Sequence, residues 1–249
     1  MADWPAGVGR VVLPSVDSTN AEAARLAPRV AGPVWILGLE QTAGRGRRAR
    51  AWSSPQGNFY GTLLMFPRED PGTVALRSFA AALALRDAFV ALTGLPESFA
   101  LKWPNDVLLN GGKVAGILLE SATGSGGITH LSIGIGVNLI SAPDAAQVEP
   151  GAVPPVSLLS ETGVRVTPEQ FLNALAPAYA RWEATFTAEG FAPLRAEWLA
   201  HAARLGQVIR ARTGTAERTG IFDTIDATGA LILRDASGTV AIPAAEVFF

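Results

Sequence analysis

The sequence predicts an α+β protein that is built in two parts. Short apolar runs typical of strands recur along the first 140 residues, and longer stretches with apolar residues at helical spacing lie between and after them. Residues 206–249 differ, because two near-identical turns, Asp226-Ala-Thr-Gly229 and Asp235-Ala-Ser-Gly238, separate three short apolar runs. We therefore expect one large domain over residues 1–205 and a small barrel over 206–249.

The first 92 residues predict alternating strands and helices. The predicted strands cover 10–14, 34–39 and 58–66, and the predicted helices cover 19–27 and 73–92. Thr19 and Glu22 have the spacing of a capping box, which places Thr19 at a helix N-terminus. Ser18, Thr19 and Asn20 are all of types that cap helices, so capping alone would account for them.

The next segment predicts four strands with little between them. They cover 99–103, 107–110, 113–120 and 131–139. Gly111-Gly112 is a two-residue hairpin signal, and the glycine-rich segment 124–127 predicts a flexible tip. Gly134 and Gly136 remove side chains from one face of the last strand, which would let a ligand or a second backbone approach closely.

Helical signals return at Thr167. Thr167, Pro168 and Gln170 supply an N-cap, a proline at the first helical position and a capping side chain. Apolar residues then recur at helical spacing as far as Phe186, and a second helix is expected over 193–205. The aromatic residues of these helices are typical of a packed core.

Composition narrows the class of protein. Of 249 residues, 49% are hydrophobic and 17% are charged, so the chain can bury a large core, and the net charge of −2 gives nucleic-acid binding no general support. Cysteine is absent, which excludes disulfides and thiolate nucleophiles, and His130 and His201 lack metal-ligand spacing. The N-terminus shows no signal peptide, and no apolar run approaches the ~20 residues that cross a bilayer. We expect a cytoplasmic protein without a bound metal or a membrane partner.

Lysine use is the most unusual feature of the composition. Twenty residues are basic, and the two that are lysines bracket the segment Lys102-Trp-Pro-Asn-Asp-Val-Leu-Leu-Asn-Gly-Gly-Lys113. Lysine is a compact point charge on a flexible stem, whereas arginine is a planar fork. A chain that uses arginine elsewhere would keep lysine where the compact charge is required, although two solvated lysines beside a hairpin are the simpler interpretation.

A second segment strengthens the chemical interpretation. The run Gln41-Thr-Ala-Gly44-Arg45-Gly46-Arg47-Arg48-Ala49-Arg50-Ala51-Trp52 places four arginines in six positions after a predicted strand. Their mutual repulsion and the interleaved glycines argue against a helix or ladder and predict a mobile segment over 43–51. An anion would order it, because guanidinium forks and glycine-rich turns bind carboxylates and phosphates. A solvated loop, an RNA-binding segment and a localisation signal are the alternatives.

In five ordered blocks the sequence resembles the catalytic region of biotin protein ligases. The blocks are Asp17-Ser-Thr-Asn20, Gln41 with Gly44-Arg-Gly-Arg-Arg48, Lys102-Trp-Pro-Asn-Asp106, Lys113-Val-Ala-Gly-Ile-Leu-Leu-Glu120 and Gly134-Ile-Gly-Val-Asn138. The resemblance implies a mixed β-sheet with helices on one face, as in class II aminoacyl-tRNA synthetases, followed by a small SH3-like barrel. It also implies that ATP activates biotin as biotinyl-5'-AMP and that biotin then passes to a lysine of a carboxylase carrier domain.

The resemblance assigns roles to individual residues. Lys113 and Arg47 would be catalytic by supplying positive charge to the reacting anions, and Asp106 by assisting deprotonation of the acceptor lysine. The residues expected around biotin are Ser18, Thr19, Asn20, Gln41, Arg45, Gly46, Arg47, Lys113, Gly116 and Leu118. The residues expected around ATP or the adenylate are Arg47, Arg48, Arg50, Trp52, Asn105, Lys113 and Asn138.

Cofactors and partners follow from the same resemblance. ATP with Mg²⁺ and biotin would be bound by the catalytic domain over 1–205, and the carrier domain would be the protein partner, while a homodimer is left open. Residues 1–10 leave no room for the helix-turn-helix domain of some relatives, so we expect a monofunctional ligase without a nucleic-acid partner. The alternatives are a lipoate–protein ligase and a non-catalytic module that binds biotin or RNA.

Overall fold

The computed structural model describes residues 3–144, 148–149, 151–214 and 216–249. Its helices are α1 (Thr19–Leu26), α2 (Pro71–Ala75), α3 (Arg77–Thr93), α4 (Leu158–Thr162), α5 (Pro168–Glu189) and α6 (Phe191–Ala200). The strands of the larger, N-terminal part are β1 (Gly9–Leu13), β2 (Val34–Gly38), β3 (Phe59–Met65), β4 (Phe99–Lys102), β5 (Asp106–Leu109), β6 (Gly112–Gly124) and β7 (Gly127–Val137). The strands of the C-terminal part are β8 (Val208–Arg212), β9 (Glu217–Ile225), β10 (Leu231–Asp235), β11 (Gly238–Ile242) and β12 (Glu246–Phe248).

The larger part is built on a mixed sheet. Within the described residues, seven strands pair in the order β1-β2-β3-β7-β6-β5-β4. β1 runs parallel to β2, and the remaining neighbours are antiparallel. Each strand that the sequence predicts between residues 10 and 139 is present, so the α+β class and the mixed sheet are confirmed.

Helices cover both faces of this sheet. Side chains alternate along β2, so Trp35 and Leu37 lie in the main core beneath α3, α5 and α6. Val34 and Ile36 point the other way and pack in a smaller core with Ala23 of α1. The predicted arrangement with helices on one face therefore holds for the long helices, whereas α1 lies on the opposite face, which also carries the large cavity of the protein.

The helix predicted over 73–92 is two helices. Asp70 caps α2 by accepting hydrogen bonds from two backbone N–H groups of its first turn, and Pro71 occupies the first helical position. The chain then turns at Leu76 before α3 begins. The aspartate-proline pair is a local signal for this earlier start.

The helix predicted over 193–205 also has different bounds, since α6 begins at Phe191 and ends at Ala200. Residues 201–203 leave the helix because they hydrogen-bond to the backbone of Leu101 at the edge strand β4. A strand edge from a distant part of the chain thus ends the helix, which no local signal predicts.

The β5–β6 hairpin turns one residue earlier than predicted. Asn110 and Gly111 both have positive φ, 50° and 84°, which is the conformation of a tight two-residue hairpin turn. Gly112, the second glycine of the predicted turn, instead begins β6, where a Cβ would lie 2.3 Å from Val156. At its other end β6 turns into β7, and the flexibility of that tip stays a prediction.

The C-terminal strands form an antiparallel sheet. Among the described residues its order is β11-β10-β9-β8-β12. Asp226 and Asp235 fold the two predicted turns by accepting backbone hydrogen bonds, and the Trp103 indole N–H joins this sheet to the larger part by donating to O of Gly229 at 3.0 Å. The domain boundary after residue 205 stays a prediction. No helix in the described part of the chain is long and apolar enough to span a membrane.

Candidate active site

A large cavity opens over the glycine-rich face of β6 and β7. Its volume is about 840 Å³, and residues 41–47, 50–54, 148–149 and 152–153 and strand β12 enclose it. On its floor a Cβ on Gly134 would come 2.4 Å from Asn20, and one on Gly136 would come 2.6 Å from the Trp52 indole. Side chains therefore lie directly on the strand at both glycines, while the approach of a ligand or a second backbone there stays a prediction.

We define the polar end of the site as Ser18, Thr19, Asn20, Gln41 and Thr62, of which the last four are joined by side-chain hydrogen bonds. Gln41 Oε1 accepts hydrogen bonds from the backbone N–H of Thr19 at 2.8 Å and from its hydroxyl at 3.2 Å. The buried Thr62 hydroxyl lies 2.7 Å from Oδ1 of Asn20 and 2.8 Å from the Thr19 hydroxyl. The side chains are therefore fixed in advance, and neutral donors and acceptors of this kind suit an uncharged polar ring.

The capping box predicted at Thr19 and Glu22 does not form. Ser18 is the N-cap of α1, and its side chain accepts no capping hydrogen bond. The side chains of Thr19 and Asn20 turn instead towards Gln41 and the sheet. Capping therefore does not account for these residues, which leaves them available to the cavity.

The arginine loop, which we define as residues 44–52, forms the cationic end of the site. Residues 44–52 contain no α-helix and no strand ladder, as expected: Arg47–Ala49 makes one 3-10 turn in which Arg48 is not helical, and Arg45 and Ala51 form an isolated bridge. Arg48 has a φ of 55°, a left-handed conformation that few non-glycine residues adopt. Ordering of this loop by a ligand stays a prediction.

Carboxylates from distant parts of the chain neutralise the arginine loop. The pairs are Arg45–Glu120 (3.1 Å), Arg48–Glu246 (2.8 Å), Arg50–Glu149 (3.0 Å) and Arg50–Glu246 (2.5 Å). Arg212 of β8 joins the group by pairing with both Glu149 and Glu246. Burial acts to raise the pKa of Glu246, but its arginine partners outweigh burial and hold that pKa below its usual range. An anionic ligand would have to compete with these carboxylates for the arginines.

Arg47 contacts neutral groups at the centre of the cavity. Its Nη1 donates to Oδ1 of Asn105 at 3.3 Å and to O of Ala245 at 3.5 Å. Burial lowers the pKa of this guanidinium, although Asp106 opposes the effect. Because these contacts are long and neutral, the guanidinium would exchange them readily for an anion.

Both lysines converge on Asp106. Lys113 Nζ lies 2.7 Å from Oδ1 of Asp106, and Lys102 Nζ lies 3.7 Å from Oδ2. Burial acts to raise the pKa of Asp106, but the charges of Lys113, Lys102 and Arg47 outweigh it and hold the pKa below its usual range. Lys113 Nζ also lies 5.5 Å from the ring centre of Trp52, whose buried indole N–H has no hydrogen-bond partner among the described residues. The site thus holds an ionised carboxylate between two compact cations.

Asn105 and Asn138 fix the backbone around the site. Asn105 Nδ2 donates to O of Ile117 at 2.6 Å, and Asn138 Nδ2 donates to O of Val156 at 3.1 Å. Both residues line the cavity, so they shape the wall against which a nucleotide would lie.

The cavity gathers nearly all of the residues that the sequence predicts for the site. Those that line it are Ser18, Thr19, Asn20, Gln41, Arg45, Gly46, Arg47, Arg50, Trp52, Asn105, Asp106, Lys113, Gly116, Leu118 and Asn138. Arg48 departs from the prediction, because its guanidinium turns to Glu246. Sequence reasoning missed Thr62, Glu149 and Glu246. Thr62 could have been identified from the sequence, because it is a polar residue within an otherwise apolar strand. The two glutamates could not, because the tertiary fold alone brings them to the loop.

Comparison with known proteins agrees with this geometry. Residues 12–138 match the model of the biotin/lipoate A/B protein ligase family, and residues 205–249 match that of the biotin protein ligase C terminal domain. The chain is 59% identical over 238 residues to a biotin–(acetyl-CoA-carboxylase) ligase of Paracoccus denitrificans, which covers 96% of this chain and 99% of that relative. The chain belongs to the biotin protein ligase family. The resemblance seen in the five sequence blocks is thereby confirmed, and all five contribute to the cavity.

More distant biotin protein ligases show the same relation. The bifunctional ligase/repressor BirA of Escherichia coli is 32% identical over 225 residues, which is 89% of this chain and 68% of that relative. The solved biotin protein ligase from Aquifex aeolicus in complex with biotin and ATP superposes with a TM-score of 0.81, at 25% identity, and covers 96% of this chain and 97% of that one. The biotin protein ligase fold therefore extends over nearly the whole chain.

Proposed function

We propose that the protein joins biotin to a lysine of a carboxylase biotin carrier domain in two steps that use ATP. The observation that carries the proposal is the continuity of one cavity from the polar end to the arginine loop. Biotin has the matching pattern, with an uncharged ureido ring at one end and a carboxylate at the other. The Paracoccus denitrificans relative is named for this reaction, and the Aquifex aeolicus relative binds biotin and ATP.

Biotin would lie with its ring at the polar end. Ser18, Thr19, Asn20 and Gln41 offer the donors and acceptors that read a ureido group. Gly116 and Leu118 of β6 would form the slot for the apolar part of the molecule. The carboxylate would then point towards Arg47 and Lys113, with Arg45 and Gly46 completing the backbone around it.

In the first step the biotin carboxylate attacks the α-phosphate of ATP. An O–P bond forms, the bond to pyrophosphate breaks, and pyrophosphate leaves with the electron pair. The carboxylate is already ionised near neutral pH, so the barrier lies in bringing anions together. Lys113 and Arg47 would stabilise that charge, while Arg48, Arg50, Trp52, Asn105 and Asn138 would hold the nucleotide.

In the second step the carrier lysine attacks the activated carbonyl. Its ammonium gives one proton to Asp106, the amine forms the C–N bond, and the C–O bond to AMP breaks with the electron pair leaving on AMP. The second proton goes to solvent. The cations around Asp106 hold its pKa below the usual range, so the carboxylate is ionised and can take the proton briefly before it passes to solvent.

Protein ligands for Mg²⁺ are not part of this proposal. The described part of the chain offers no group of three or more histidine or acidic residues that could hold a metal ion, and Asp106 already faces two lysines. The ion would enter with the phosphates of ATP. We propose that the reaction takes place in the cytoplasm.

The test is biotin-dependent release of pyrophosphate from ATP, followed by mass spectrometry of a carrier domain. We expect release with biotin and no release with lipoate, and one added biotin on the carrier lysine. Release that does not depend on biotin, or that lipoate supports equally, would refute the proposal. Biotin binding without any pyrophosphate release would reduce the protein to a binding module.

A further inference from the structure

Lys102 is a charged group of the cavity that the two proposed steps leave without a role. It ends β4 and lies in register with Asp106 across the β4–β5 hairpin. Its ammonium faces Oδ2 of Asp106 at 3.7 Å, whereas Lys113 faces Oδ1 at 2.7 Å. Each oxygen of the carboxylate therefore faces a different lysine.

The two lysines differ in their access to a ligand. The side chain of Lys113 is 28% exposed and faces the cavity beside Trp52. The side chain of Lys102 is 9% exposed, and its ammonium lies 5.6 Å from the ring centre of Phe249, which Arg204 also approaches at 5.3 Å. An anion in the cavity can therefore draw Lys113 away, while Lys102 stays enclosed.

We propose that Lys102 is a positioning residue that keeps Asp106 ionised and in place when Lys113 turns to the phosphate of the activated intermediate. The inference rests on the proposed function, since it concerns the second step. A buried carboxylate that loses its cation takes up a proton, because burial disfavours the charge. A protonated Asp106 cannot accept a proton from the acceptor lysine.

Few other groups around Asp106 supply positive charge that could keep it ionised. The cations that act on it are Lys102 from β4, Lys113 from β6 and Arg47 from the arginine loop. Lys113 and Arg47 are the groups that the adenylate would engage. Burial lowers the pKa of Lys102, while Asp106 opposes this and favours the charged form, so each member of the pair supports the charge of the other.

The test separates the two steps in Lys102→Gln, with Lys102→Arg as the conservative variant. Pyrophosphate release measures the first step, and single-turnover transfer from preformed biotinyl-AMP to a carrier domain, between about pH 6 and pH 9, measures the second. We expect transfer by Lys102→Gln to fall at least about tenfold more than adenylation at pH 7, since each unit by which a pKa exceeds the pH lowers the ionised fraction about tenfold. The acidic limb of the transfer profile should move to higher pH, and Lys102→Arg should restore most of the loss.

Equal losses in both steps with an unchanged pH profile would overturn the proposal, as would transfer at the wild-type rate. A second comparison holds even if Lys102→Gln alone folds poorly. Asp106→Asn removes the carboxylate alone. The double variant Asp106→Asn with Lys102→Gln removes both charges, so neither member of the pair is left buried without the other. If Lys102 acts through Asp106, the two should transfer at the same rate. A further loss in the double variant would contradict the proposal, whereas absence of pyrophosphate release in the wild type would instead refute the proposed function.

Discussion

The polar end and the arginine loop form two sides of one cavity, and different interactions stabilise each of them. At the polar end, Thr19, Asn20 and Thr62 are at most 5% exposed and are joined by neutral hydrogen bonds. In the arginine loop Arg45, Arg48 and Arg50 are about half exposed and are paired with carboxylates. The polar end is therefore preformed, while the loop is held by internal anions that a phosphate would have to replace.

This difference indicates that biotin recognition and retention of the charged intermediate belong to different parts of the cavity. Neutral, buried hydrogen bonds discriminate by shape and hardly respond to salt. Exposed ion pairs contribute little stability each, about 0–1 kcal/mol, so they break readily and are screened by salt. We infer that biotin recognition belongs to the rigid end and that retention of the charged intermediate belongs to the exchangeable end.

We expect the largest effect from a change of Lys113, the compact cation between the two ends. Lys113→Arg keeps the positive charge but replaces a point charge by a planar fork, so we expect adenylation to fall at least about 100-fold. Pyrophosphate release at saturating biotin and ATP measures it, and a far-UV circular dichroism spectrum with an unchanged melting temperature is the control for folding. Turnover near the wild-type rate would show that Lys113 is not the required compact cation.

Arg47→Gly tests retention at the exchangeable end. Biotin should still bind through the polar end, but loss of a charge-assisted bond of roughly 1.5–3 kcal/mol should release biotinyl-AMP about 10- to 100-fold faster. Because the released adenylate acylates amines, an unrelated lysine-rich protein such as albumin should become biotinylated. A streptavidin blot reads this out, and background labelling by a variant that still makes the adenylate would contradict the retention role.

Thr62→Val tests the rigid end. Removing the hydroxyl leaves Oδ1 of Asn20 without its buried partner, so we expect biotin affinity to fall about tenfold. The loss should be the same at low and at high salt, measured by isothermal titration calorimetry. Thr62→Ser keeps the hydroxyl and is the matched control. A loss that shrinks as salt rises would mean that the two ends do not differ in the way described.

We expect the smallest effect from a change of Glu246, one of the carboxylates that pair with the arginine loop. Glu246→Gln removes the partner of Arg48 and Arg50, so trypsin should cleave the arginine loop a few-fold faster without ligand. Biotin with ATP should slow cleavage of both proteins to a similar rate, because the phosphate takes the place of the carboxylate. Glu217→Gln, which breaks an exposed pair with Arg210 elsewhere, is the control. Equal cleavage of wild type and variant would remove Glu246 as an anchor.

The same contrast explains how much of the site the sequence predicts. Apart from Thr62, the residues of the polar end and of the lysine segment lie in short sequence blocks with distinctive residue types, so they could be identified before the structure. The partners of the arginine loop could not, because Arg50 and Glu149 lie 99 residues apart and Arg47 meets Ala245 across 198 residues. Contacts of that kind depend on the tertiary fold, which brings Glu149 and Ala245 against the loop.

The fold shows the same division. The strands were predicted because their apolar patterns are local, and the earlier start of α2 was equally readable in Asp70-Pro71. The end of α6 was not readable, since the backbone of Leu101 draws residues 201–203 out of the helix. The face on which α1 lies was also missed, because an amphipathic helix does not record which side of a sheet it covers.

The placement of the two lysines has a practical result for amine chemistry. Both Lys102 and Lys113 line the cavity, so elsewhere the chain carries guanidinium groups where most proteins present side-chain amines. Among side chains, an amine-directed reagent such as a succinimidyl ester should therefore mark Lys113 before the less exposed Lys102, and a bound ligand should protect it. The protein thus makes an acylating agent while presenting almost no lysine on its own exterior for that agent to acylate.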